Sequence, residues 1–151
     1  MMGKRMKLIH SVHEAQLDDV LANGLRAESK FPDFGLEMRQ GVIYCWLQAE
    51  DDKLHWPDGV YLEVTVDQDR CLIADMEFIS LAITYSRGFG ARPANPEAAR
   101  LFSEVYRVTS MPLDRYEQGM FFSPEVLVQG DIAPDCIRVI ESKANASAAQ
   151  D

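Results

Sequence analysis

The chain has 151 residues, 47% hydrophobic and 26% charged, with a net charge of −9. This is the length of one domain and the composition of an ordinary globular protein. The charge argues against a surface that holds long nucleic acid by neutralising phosphates, which takes clustered Lys and Arg, while leaving room for a small local basic site.

Cys45, Cys71 and Cys136 lie far apart in apolar runs without a C-x-x-C pair, which speaks against a zinc site and for reduced thiols in a cytoplasmic protein. The basic start "MMGKRMKLIH" is followed by no apolar signal-peptide core. The apolar runs are too short to span a bilayer.

In chain order, Met6–Ser11 reads as a short buried strand. The following "HEAQLDDVLANGL" places Leu17, Val20, Leu21 and Leu25 at helical spacing, and Gly24 closes the helix. Residues 26–40 have no clean period and contain Pro32 and Gly35, as a long and often functional loop does. Gly41–Leu47 is strand-like, and a polar loop follows through "DDKLHWPDG". Residues 60–66 alternate, with Val60, Leu62, Val64 and Val66 on one face, as in a half-buried strand. "RCLIADM" is a shorter strand.

The middle of the chain reads as helical. Met76–Ser86 is a mostly apolar helix, "RGFGARPAN" is a break, and a second helix opens with Asn95 as N-cap and Pro96 at its first position. Gly119–Ser123, Glu125–Gly130 and Cys136–Ser142 read as strands. "KANASAAQD" is expected to be a frayed tail after a single domain of residues 1–142. Strands at both ends and helices between them suggest an α+β fold.

The polar clusters have competing readings. Ser11-Val12-His13-Glu14 fits the S-x-x-E capping box, which gives Glu14 a structural role and places His13 in an exposed first turn. "HSVHE" matches neither helical zinc-protease signature, so no metal is expected there. His10 ends an apolar strand and reads either as a satisfied core histidine or as a site residue. Asp67, Asp69, Asp75 and Glu77 lack EF-hand spacing and read as a solvated acidic turn. "GFGARP" lacks the strand–helix context of a phosphate loop.

Several stretches together resemble the ADP-ribosyltransferase-like superfamily of small NAD-dependent enzymes. "LIHSVHEAQLDDVLANGL" resembles its opening, a strand that ends in His and leads into a helix closing with "xGL". "QGVIYCWLQAED" is similar to its "GVY" strand, and "GVYLEVTVDQDRCLIADME" to the next strand with its acidic turn. "SPEVLVQGDIAPDCIRVIE" resembles its ending and is closest to a branch that includes DNA-targeting toxin transferases.

The resemblance implies a split pair of bent antiparallel sheets with flanking helices. It also implies NAD as substrate, an unidentified acceptor macromolecule and no metal. By position, Glu125 is the implied catalytic carboxylate, and His10, with Ser11 beside it, faces the ribose hydroxyls of NAD. Tyr44 packs on the nicotinamide, with Trp46 as the rival for that place. Arg26, Lys30 and Arg39 are the candidates for holding the phosphates.

The chemistry fits these residue types. Loss of nicotinamide leaves an oxocarbenium-like ribose, which a carboxylate on the 2′-hydroxyl stabilises and orients. An aromatic face holds the flat leaving ring. Ser11 directly follows His10 and "GVIYCW" carries an extra apolar residue, both departures from the family's usual pattern. They favour an alternative, an inactive domain of this type that binds another macromolecule, for example in a defence or phage system. A third reading is an interaction domain of another α+β fold.

Overall fold

The computed structural model describes residues 3–28, 33–52 and 58–142. The expected tail, Lys30 and most of the polar loop before residue 58 lie outside the described residues. The fold is α+β, with two antiparallel sheets and three helices among the described residues.

The first sheet has the order β1-β3-β7, from Arg5–His13 (β1), Gly59–Asp67 (β3) and Ile137–Ser142 (β7). The second has the order β2-β6-β4-β5, from Val42–Cys45 (β2), Pro124–Gln129 (β6), Cys71–Asp75 (β4) and Met111–Pro112 (β5). The sheets meet at the corner between β1 and β2. There the Ile9 N–H donates to the Trp46 carbonyl at 2.8 Å, and the Trp46 N–H donates back at 2.7 Å.

The alternation in β3 sets the main core. Leu62, Val64 and Val66 point at Ile43 and Cys45 of β2, Ile73 of β4, and Val126 and Val128 of β6, all buried in one apolar cluster between the sheets. The opposite face of the second sheet carries Val42, Ala74 and Leu127. It packs under helices Met76–Arg87 (α2) and Pro96–Thr109 (α3), which contribute Ile79 and Tyr106. Helix α3 docks through Ala99, Ser103 and Tyr106, which are spaced to fall on one stripe. Its start is as the sequence predicts, with the Asn95 Oδ1 accepting from the Ala98 N–H at 3.1 Å and Pro96 in the first turn.

Several local expectations are corrected. Strand β1 runs two residues past Ser11, because His13 still pairs with Gly59. The cap therefore moves: the His13 Nδ1 accepts from the Ala15 N–H, and the Gln16 side chain accepts from the His13 N–H, so neither Ser11 nor Glu14 forms the box. A 3-10 turn, Glu14–Gln16, precedes helix Leu17–Asn23 (α1), in which Val20 is buried but Leu21 is exposed.

Gly119–Ser123 is a turn, not a strand. Gly119 has φ +94°, and the Asp75 carboxylate takes the N–H groups of Phe122 and Ser123 at 3.1 and 3.2 Å. Asp75 is therefore a buried organiser of this turn, and it also caps α2 through the Glu77 N–H, unlike the solvated residue expected. Helix α2 buries only Ile79 and Ala82, fewer than its apolar sequence suggests. Gly24, at φ +85°, closes α1 as expected, and a Cβ there would meet the Ile132 carbonyl at 2.3 Å.

Candidate functional site

The second sheet brings together residues that are far apart in sequence. Tyr44 on β2 pairs with Leu127 on β6, so Tyr44, Leu127 and, two residues back, Glu125 share the helix-facing side of the sheet. Arg39, at the end of the long loop before β2, lies in a 3-10 turn, Glu37–Arg39, that directs it onto this face.

The Arg39 Nη1 donates to the Glu125 Oε1 at 2.6 Å and to the Tyr106 hydroxyl at 2.7 Å. The Tyr106 hydroxyl in turn donates to the same Oε1 at 2.5 Å. The guanidinium carbon lies 4.7 Å from the centre of the Tyr44 ring and 5.1 Å from that of Tyr106, placing the cation against two aromatic faces. The Tyr44 hydroxyl donates to the Arg39 carbonyl at 3.3 Å.

The cluster is largely removed from water. Glu125 is 5% exposed and Arg39 6%. Both bonds to Glu125 are made at Oε1, and among the described residues no hydrogen bond reaches Oε2. The Arg39 Nε is buried with no partner among those residues. Burial disfavours the charged guanidinium, but Glu125, Tyr106 and Tyr44 together outweigh it and hold its pKa above the ordinary value. Burial raises the Tyr44 phenol against the pull of Arg39. A buried pair of this kind gains little net stability over an apolar filling of the same space, which makes the cluster a candidate site.

His10 reaches the cluster from another side. It shares its face of β1 with Leu8 and Val12, which belong to the apolar core between the sheets. Its Nδ1 donates to the backbone carbonyl of Tyr44 at 2.6 Å, which fixes the protonated nitrogen as Nδ1. The structure thus joins Tyr44, Glu125 and Arg39 by side chains, and His10 to Tyr44 through the backbone.

It does not bring Ser11 into the group. Ser11 neighbours His10 on β1, lies on the strand's opposite face and is half-buried opposite Tyr61. Trp46 is half-buried at the corner bridge to Ile9. Arg26, the other described basic candidate, has no contact with the cluster among its described hydrogen bonds and ion pairs.

Tyr106 is the residue that the sequence reading missed. A tyrosine inside an amphipathic helix looks like core packing, and its signal was its place on the buried stripe with Ala99 and Ser103. Among the described residues, no group of three or more His, Cys, Asp or Glu side chains converges as a metal site. No described helix is long and apolar enough to cross a membrane. No protein-family model, curated protein or solved structure matches this chain.

Proposed function

We propose that the chain is a cytoplasmic transferase that moves ADP-ribose from NAD to an unidentified acceptor, with the site built on Glu125. The observation that carries this reading is the meeting of Arg39, Tyr44 and Glu125, drawn from a loop and two strands onto one sheet face, with His10 bonded to the Tyr44 carbonyl. His10, Tyr44 and Glu125 are residues that the resemblance to ADP-ribosyltransferases implies, and Arg39, one of three basic residues near the expected cleft, is the one that reaches the carboxylate.

In this reading the Glu125 carboxylate takes the ribose 2′-hydroxyl through Oε2 and stabilises the cation that forms as nicotinamide leaves. Tyr44 offers a ring face to the nicotinamide. Arg39 offers its unpaired Nε to the NAD phosphates as a charge-assisted contact, while its Nη1 stays on Glu125. The His10 ring orders the strand edge that carries Tyr44. The buried thiols Cys45 and Cys71 suit a reducing compartment, and the absence of a long apolar helix among the described residues suits a partner other than a membrane.

Low exposure of both His10 and Glu125 favours a second reading, an inactive domain of the same type that binds a macromolecule. Nicotinamide release separates the two. The wild-type chain is expected to release nicotinamide from NAD, and Glu125→Gln to lower the rate by about 10²–10³-fold, the usual loss when one preorganised electrostatic group is removed. Circular dichroism of the variant checks that it is folded. A wild-type chain that releases none supports the second reading.

A further inference from the structure

We propose that Tyr106 is a positioning residue of this site: its hydroxyl accepts a hydrogen bond from the Arg39 Nη1 and donates one to the Glu125 Oε1, fixing the carboxylate so that Oε2 is left to the ribose 2′-hydroxyl. The inference rests on the transferase reading above, but its geometry stands independently.

A phenol has one proton to donate and two lone pairs to accept with. Arg39 can only donate, and the ionised Glu125 can only accept. The 2.7 Å contact from Arg39 and the 2.5 Å contact to Glu125 therefore have one consistent assignment, in which the Tyr106 proton points at the carboxylate. The direct 2.6 Å contact between Arg39 and the same Oε1 closes a three-membered ring of hydrogen bonds. With two donors on one oxygen, rotation of the carboxylate about its terminal bond breaks both bonds at once, so the group is held in a single orientation.

The rest of the molecule makes this a rigid arrangement. Tyr106 is fully buried, and its ring lies against the face of the guanidinium it serves. It is carried by a 14-residue helix with a formed N-cap, docked on the sheet through Ala99, Ser103 and Tyr106 itself. Burial, followed by the charge of Glu125, raises the phenol well above its ordinary pKa, so it remains a donor across the neutral range. Orientation of a reacting carboxylate is worth rate when the geometry is preset before substrate binds. Tyr106 touches neither NAD nor the acceptor in this account; it acts through Glu125.

The test is Tyr106→Phe, which keeps the ring beneath Arg39 and removes the hydroxyl. Its two readouts separate this inference from the reading on which it rests. In nicotinamide release, kcat per folded molecule is expected to fall about tenfold or more while KM for NAD stays within about twofold, the pattern of an interaction used in the transition state and not in binding. A purely structural tyrosine would leave kcat per folded molecule unchanged, and that result overturns the proposal.

The second readout needs no substrate. Proton NMR of the wild-type chain is expected to show a strongly downfield hydroxyl proton that disappears in Tyr106→Phe and moves in Glu125→Gln. A spectrum without that resonance, or one that Glu125→Gln leaves in place, overturns the proposed clamp whatever the kinetics show. If the wild-type chain releases no nicotinamide, the transferase reading falls and the role of Tyr106 in catalysis with it; the resonance then decides only whether the clamp itself exists.

Discussion

Strand β6 contributes Val126 and Val128 to one side of its sheet and Glu125 and Leu127 to the other, and the two sides are built differently. On the side facing the first sheet, Ile43, Cys45, Cys71 and Ile73 join the two valines in one apolar cluster. On the helix side, a carboxylate and a guanidinium are buried among Tyr44, Tyr106 and Leu127. Apolar burial is non-directional and tolerates small rearrangements, whereas a buried ion pair must meet its partners at fixed distances or lose them. One strand thus supplies a forgiving face that holds the sheets together and an exacting face that fixes four polar side chains. The apolar face holds the two sheets together, and the charged face adds little net stability over an apolar filling of the same space.

The largest expected effect breaks the charged face. Arg39→Ala or Glu125→Ala leaves the other charge buried without its partner and is expected to cost about 3–5 kcal/mol in denaturant unfolding. Arg39→Met combined with Glu125→Leu should cost far less than the two single losses together, because the coupled pair leaves as a unit. Additive losses would mean that the pair is not coupled.

A smaller effect belongs to the apolar face. Ile43→Val removes one buried methylene and is expected to cost about 0.5–1.5 kcal/mol, with no change in nicotinamide release. A loss of release would show that the two faces are not independent.

The smallest effect is absent at neutral pH and appears only in alkali. Burial, with Asp67 adding to it and Arg70 opposing it, pushes the Cys71 thiol up to about 11. Burial and the nearby Asp52 push the Tyr61 phenol up to about 12. Both groups keep their protons longer in the folded chain than in the unfolded one, so their contribution is complete below the ordinary thiol value of 9.0 and is lost as pH rises through about 11 to 12. Thermal midpoints between pH 8 and 12 should fall over that window, and Cys71→Ala should delay the start of the fall. A flat profile contradicts the assignment.

The contrast between the faces also explains what the sequence made legible. Periodicity reports apolar faces, so the alternation of β3, the strands β6 and β7 and the capped start of α3 at Asn95 were readable. Turns made by distant partners were not. "GMFFS" has the composition of a strand, but Asp75, 47 residues earlier than Phe122, draws its backbone into a turn and leaves the Phe122 side chain 91% exposed. The cap of α1 shifted from Ser11 to His13 because pairing with Gly59 extends β1, which no local motif shows. Tyr44 and Glu125 came from the family resemblance. Arg39 was one of three basic candidates in an irregular loop, and Tyr106 had the appearance of core, because an ion pair between residues 86 positions apart leaves no periodic trace.

In the proposed function the charged face receives NAD. A calorimetric titration of the folded wild-type chain with NAD tests it most directly, repeated on Arg39→Met combined with Glu125→Leu. Saturable binding of NAD by the wild-type chain at or below millimolar concentration is expected, with its loss in the double variant. No binding by the wild-type chain at millimolar NAD, or equal binding by both chains, would contradict it.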